Sequence, residues 1–179
     1  MTQYYKMPSF NLRGASAGTK VLLTCFLLFV AAGYVVAMLY FHDRTRLEIA
    51  GIERYYKGDE PAMVFPKSRA ELIAITHPHA FSMPMLLFIL CHLVALCRIS
   101  ERIKCTLYIA SFGSAACVLA GPWLVTYYSP ANAWFLAASG WALTFSFAAI
   151  TFLPLVEMWL PRRAGERVVP HPASSVTPE

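Results

Sequence analysis

Residues 21–41 read VLLTCFLLFVAAGYVVAMLYF, a run of twenty-one positions without a charged side chain. At about 1.5 Å per helical residue the run extends roughly 31 Å, the thickness of a bilayer's hydrocarbon core. It exceeds the roughly 7–15 residue apolar region of a cleaved signal peptide, and no small-x-small site precedes the charged segment at its end. It reads as an uncleaved membrane span.

Three more such runs follow, over about 78–97, 105–127 and 134–160. Glu157 is the only formal charge inside them, and Pro84, Pro122 and Pro154 interrupt them. Lipid-embedded helices tolerate such prolines because neighbouring groups take up the freed carbonyls. The expected fold is therefore all-α, an integral membrane four-helix bundle. Residues 1–20 form an N-terminal tail, 21–160 the membrane domain, and 161–179 a Pro/Ser-rich tail expected to be disordered. Composition agrees: the chain is 58% hydrophobic and 14% charged, against roughly 25% charged in a soluble domain.

The net charge of +5 does not point to nucleic acid, because the basic residues flank apolar runs and form no continuous stretch. Lys6, Arg13 and Lys20, then Arg98, Arg102 and Lys104, then Arg162, Arg163 and Arg167 all fall on one side of the bilayer. The positive-inside rule makes that side cytoplasmic, so both termini are expected inside, in a bacterial inner membrane. The 42–77 loop carries six basic residues matched by six acids, and it lies outside.

Small residues crowd the third and fourth runs, among them Ser111, Gly113, Ser114, Ala115 and Gly121, then Ala137, Gly140 and Ser146. Close approach of small residues is what packs helices in lipid, so these two runs are expected to form a tight hairpin. The five cysteines (Cys25, Cys91, Cys97, Cys105 and Cys117) show no CxxC pair and are expected to act as small hydrophobes.

The roughly 35-residue outer loop, 42–77, holds two short helices. Ile49, Ile52 and Tyr56 share one face and Glu53 precedes Lys57 by four residues, as in an amphipathic helix lying on the membrane surface. Ser68-Arg69-Ala70-Glu71 is a capping box that opens a second helix running to about Thr76. A bend is expected at His77, with the second span starting at Pro78.

Chemistry rests on the histidines. His42 ends the first span, while His77 and His79 begin the second on the same side, so the three lie at one depth. His92 is thirteen residues below His79, about 20 Å deeper. Imidazole is a standard axial ligand of haem iron, and one haem b between His42 and His77 or His79 is the leading expectation. His77 and His92 face roughly one way, a spacing that resembles membrane b-type cytochromes in which one helix serves two stacked haems. Those proteins draw opposing ligands from a second helix with equal spacing; here only His42 opposes, and only at the outer level. The second choice is a metal ion held by His42, His77, His79 and Met83, a set that suits copper. The third is quinone or proton-relay chemistry at His92. Against these stands a cofactor-free structural or assembly subunit, with wet-tipped interfacial histidines and His92 bonded to a neighbouring helix. Glu157 is expected to pair with Arg162 or Arg163.

No phosphate-binding glycine loop, HExxH motif, nucleophile elbow or CxxCH site occurs in the sequence. A non-catalytic or electron-transfer subunit is expected, in contact with the lipid bilayer and with other membrane or periplasmic subunits.

Overall fold

The computed structural model describes residues 12–160; the tail at 161–179, with Arg162, Arg163, Arg167 and His171, lies outside the described residues, as does Lys6. Five α-helices follow in order: α1 (Ala17–Thr45), α2 (Ile49–Lys57), α3 (Arg69–Ala95), α4 (Glu101–Tyr127) and α5 (Ala133–Trp159). Single 3-10 turns stand at Leu12–Gly14, Glu60–Ala62 and Pro130–Asn132. Four of the α-helices, α1, α3, α4 and α5, are long and apolar enough to cross a membrane. The protein is an all-helical integral membrane bundle, with α2 as its extra, shorter piece.

Serines start three of the long helices. Ser16 Oγ accepts from Thr19 N–H at 3.3 Å and Ser100 Oγ from Ile103 N–H at 3.4 Å. Ser68 and Glu71 close a full capping box: Ser68 Oγ accepts from Glu71 N–H, and Glu71 Oε2 accepts from Ser68 N–H at 2.8 Å. Each satisfies backbone donors that a helix start leaves without partners.

The helix opened by that box does not end at Thr76. It continues through His77 without a break, and Pro78 and Pro84 lie inside α3. Proline costs a helix one hydrogen bond and crowds the preceding turn. Two side chains nearby bond back to carbonyls of this stretch, His79 Nδ1 donating to Ile75 O at 2.7 Å and Ser82 Oγ donating to Pro78 O at 2.7 Å. The expected bend gives way to one helix two turns longer than the apolar run.

The amphipathic segment also lies elsewhere than expected. Rather than resting on lipid, α2 lies across the end of the bundle, where Ile52 and Tyr56 pack with Leu72, Val125, Ala133 and Leu136. Two polar ties hold it there. Lys57 Nζ donates to Thr126 O at 2.9 Å, and Thr126 Oγ1 donates to Pro122 O and, at 3.4 Å, to Tyr56 O. The reversal from α1 into α2 uses left-handed backbone at Arg46 (φ 56°) and Leu47 (φ 58°). It presses Gly51 so close to the Thr45 carbonyl that no side chain fits there.

Contact is most extensive between α4 and α5. A Cβ on Gly121 would come within 2.6 Å of Leu136 Cδ1, so the hairpin depends on glycine there. The opposite extreme is α1, in which only Leu27 and Thr45 are buried. Its principal neighbours are α2 and α5, and Tyr34 ties it to α5 by stacking on Phe147 at 4.2 Å and a 2.8 Å hydroxyl contact with Thr144.

Both ends of the described chain meet at the end of the bundle away from α2. Arg13 lies 3.1 Å from Glu157, Lys20 Nζ donates to Met158 O at 2.7 Å, and Trp159 Nε1 donates to Thr24 Oγ1 at 3.1 Å. Glu157 is thus paired from the N-terminal turn, which folds over the bundle end and places Arg13 beside it. Cys91 and Cys97 are buried as expected of small hydrophobes, but Cys25 and Cys105 are exposed on the bundle surface.

Candidate functional site: an apolar cavity beneath α2

Because α1 touches α5 and α2 more than α3, a cavity of about 830 Å³ opens between α1 and α3 in the half of the bundle nearest α2. Its size falls within the range of ligand pockets, roughly 300–1,000 Å³. Gly33, Tyr34, Ala37 and Met38 of α1 form one wall; Thr76, His79 and Met83 of α3 form the facing one. Val118 and Pro122 of α4, with Leu143 and Phe147 of α5, close the back. Ile52, Tyr55 and Tyr56 roof it from α2, and Arg44 brings a cation to the rim. Burial holds the Tyr56 hydroxyl well above its usual pKa, so this roof stays uncharged at any physiological pH.

The wall is braced. Trp123 Nε1 donates to Thr76 Oγ1 at 3.0 Å, joining α4 to α3 just beneath the roof. Gly33 is exposed, and an added Cβ there meets no other atom within 4 Å, so the cavity opens to the bundle surface at that point.

The four candidate histidines separate. His79 lines the cavity and shares it with Met83, one turn further along α3. His42 lies at the end of α1, 3.5 Å from Asp43 and outside the lining. His77 and His92, exposed as His79 also is, lie outside it; the ring contact of His92 is with Phe88, at 6.4 Å between centroids. The HxH pair divides because two residues on one helix stand about 200° apart. Among the described residues no three His, Cys, Asp or Glu side chains gather as a metal cage.

His79's ring chemistry is fixed by its backbone partner. A carbonyl oxygen can only accept, so Nδ1 bears the hydrogen toward Ile75 O and the neutral ring keeps a lone pair on Nε2. Metal-bound imidazoles are held in this way, with the second nitrogen donating to a backbone carbonyl.

Residues 46–165, covering α2 through α5, match a family described as a transmembrane helical domain, Aq_1264_TM. The chain belongs to that family. His77, His79, Met83 and His92 lie within the Aq_1264_TM match, whereas His42 and the whole α1 wall precede it. No curated protein and no solved structure matches the chain.

Tyr34, Met38, Arg44 and Tyr55 were not singled out from the sequence. A signal for Met38 existed: it sits one turn before His42 on a helix whose far end had already been placed level with His79. The signal that chooses His79 over His77 is Met83, which repeats His79's position one turn on.

Proposed function

We propose that the protein is a membrane redox subunit that holds one haem b in the cavity between α1 and α3, with His79 as an axial ligand. The observation that carries this is the Nδ1 bond to Ile75 O, which leaves Nε2 as a lone-pair donor on a cavity wall. Met38, on the facing wall, would offer a thioether as a further ligand, and His/Met ligation would raise the haem potential. Arg44 at the rim suits the carboxylates of an otherwise apolar cofactor. When bound, haem supplies one-electron chemistry; the chain binds it, orients it and keeps water away.

Two alternatives fit less well. A quinone would find its donors at Arg44 or Tyr55 and not at His79, whose ring already donates through Nδ1, and it would leave the Nε2 lone pair unused. A lone copper ion would draw on His79, Met38 and Met83, but it would leave most of a cavity of about 830 Å³ unfilled. His42 and His77 take no part in this arrangement.

The proposal includes an orientation. Arg13, Lys20, Arg98, Arg102 and Lys104 cluster at the end of the bundle opposite α2, which supports cytoplasmic termini in a bacterial inner membrane. The cavity then lies near the outer face, within reach of a periplasmic or membrane electron-transfer partner. Reporter fusions at residues 60 and 179 test the orientation, and periplasmic and cytoplasmic signals respectively are expected.

The haem assignment is tested by absorption of the detergent-purified chain. A Soret band is expected in the wild type, in His42→Ala and in His77→Ala, and its loss in His79→Ala. Colourless wild-type protein from haem-replete cells, or a band that survives His79→Ala unchanged, would refute it in favour of a cofactor-free subunit.

A further inference from the structure

On the side of α3 away from the cavity lies a second histidine-bearing face. His77, Phe81, Met85, Phe88 and His92 recur at helical spacing and fall within an arc of about 80°. All five are exposed: Phe81 at 77%, Met85 at 59% and Phe88 at 67%, with both histidines in the same class. Phenylalanine and methionine are at home in lipid. Imidazole is not. His92 lies six residues, about 9 Å at helical rise, from Arg98 and inside a helix long and apolar enough to span, and ionisable side chains within spans almost always face protein or water. Among the described residues nothing hydrogen-bonds the ring of either His77 or His92.

We infer that this face is where a second copy of the chain packs, α3 against α3, about a two-fold axis along the membrane normal. The chemistry of the two ends selects the occupant. A neutral imidazole carries one donor and one acceptor, so it is its own complement. A two-fold axis brings each residue to its counterpart at the same depth. His77 then meets His77 of the second copy, His92 meets His92, and Phe81, Met85 and Phe88 interleave between them. An unrelated helix would need polar groups at two levels about 22 Å apart, which a copy of α3 has already.

The inference does not depend on haem binding, since His79 and the cavity lie on the opposite side of α3. It is tested by dimerisation of the full chain in lipid vesicles, followed by single-molecule photobleaching at varied protein density. Wild-type dimers are expected. His92→Phe keeps a lipid-compatible side chain but removes the pairing, and should weaken association about 3- to 30-fold, the range of one membrane hydrogen bond. His92→Gln, which also pairs with itself, should stay within about 3-fold of wild type. Phe29→Ala, on exposed α1, should change nothing. A Met85→Cys chain with Cys25 and Cys105 replaced by Ser should form a disulfide-linked dimer. Monomers at every density, equal association of His92→Phe and wild type, or no crosslink at residue 85 would each overturn it.

Discussion

The two halves of the bundle use the same helices differently. In the half nearest the termini, Leu27, Leu90, Val94, Ile150 and Met158 are at most 1% exposed and fill the space between them. In the half nearest α2, those helices stand around a cavity of about 830 Å³. Polar groups follow the same division. Arg13 Nε, Tyr108 OH, Ser111 Oγ and Thr151 Oγ1, buried without a hydrogen-bond partner among the described residues, all belong to the packed half. Near the cavity, Trp123, Thr76, Thr126 and Lys57 are bonded. One end carries the cost of close packing, and the other is braced so that space can remain open.

This contrast can be broken by substitution. The largest effect is expected at the packed end, where Glu157→Ala leaves Arg13 as a buried, unpaired cation. About 3–5 kcal/mol should be lost, read by thermal unfolding in detergent. Removing Arg13 as well should restore part of it, as expected of groups that act as a pair. Next comes Ile150→Ala, for which about 2–5 kcal/mol is expected from the void it leaves. A loss under 1 kcal/mol there would mean that the packed half is not packed.

Smaller effects belong to the hollow half. Thr126→Val removes the hydroxyl that ties α4 to α2 and should cost about 1 kcal/mol. In the ligand-free chain Gly33→Phe should leave the unfolding temperature unchanged or slightly raised, because Gly33 is exposed with nothing within 4 Å of an added Cβ and glycine disfavours helix. The same substitution should displace whatever the cavity binds, so stability and occupancy separate. The smallest effect concerns Lys67, whose bond to Glu71 holds its pKa above the ordinary value. That contribution is complete below about pH 10.4 and fades as pH rises through the raised value. Lys67→Met should abolish this alkaline decline and also move the Glu71 carboxylate back toward its ordinary pKa, since the Lys67 bond is the main cause of its lowering.

The spanning helices were legible because hydropathy over twenty residues is a property of the chain itself. So were the Ser68–Glu71 cap and the α4–α5 hairpin, which depend on neighbours in sequence. What could not be read was where a face points. The Ile52–Tyr56 stripe is equally suited to lipid and to protein, and only the Thr126 and Lys57 ties, drawn from distant positions, decide for protein. His77 before Pro78 has the local signature of a break. It is overruled in the fold, where α3 runs unbroken from its capped start at Ser68 through Pro78 and Pro84. Among the described residues Glu157 is paired by Arg13, 144 residues away in sequence, a contact no local pattern announces; Arg162 and Arg163 lie outside the described residues. Of the four histidines, depth was readable, but direction required the helix phase, and that divided His79 from His77 and His92.

The latch between Arg13 and Glu157 bears on biogenesis. Spans leave the ribosome in order, so α1 enters the bilayer first and α5 last. Since α1 has α5 and the small α2 as its principal neighbours, the first span must wait in lipid, unclasped, until translation has nearly finished. A nascent chain halted before residue 157 would present a loose α1 with an unmatched arginine at its base, a form that membrane quality control could tell from the finished protein.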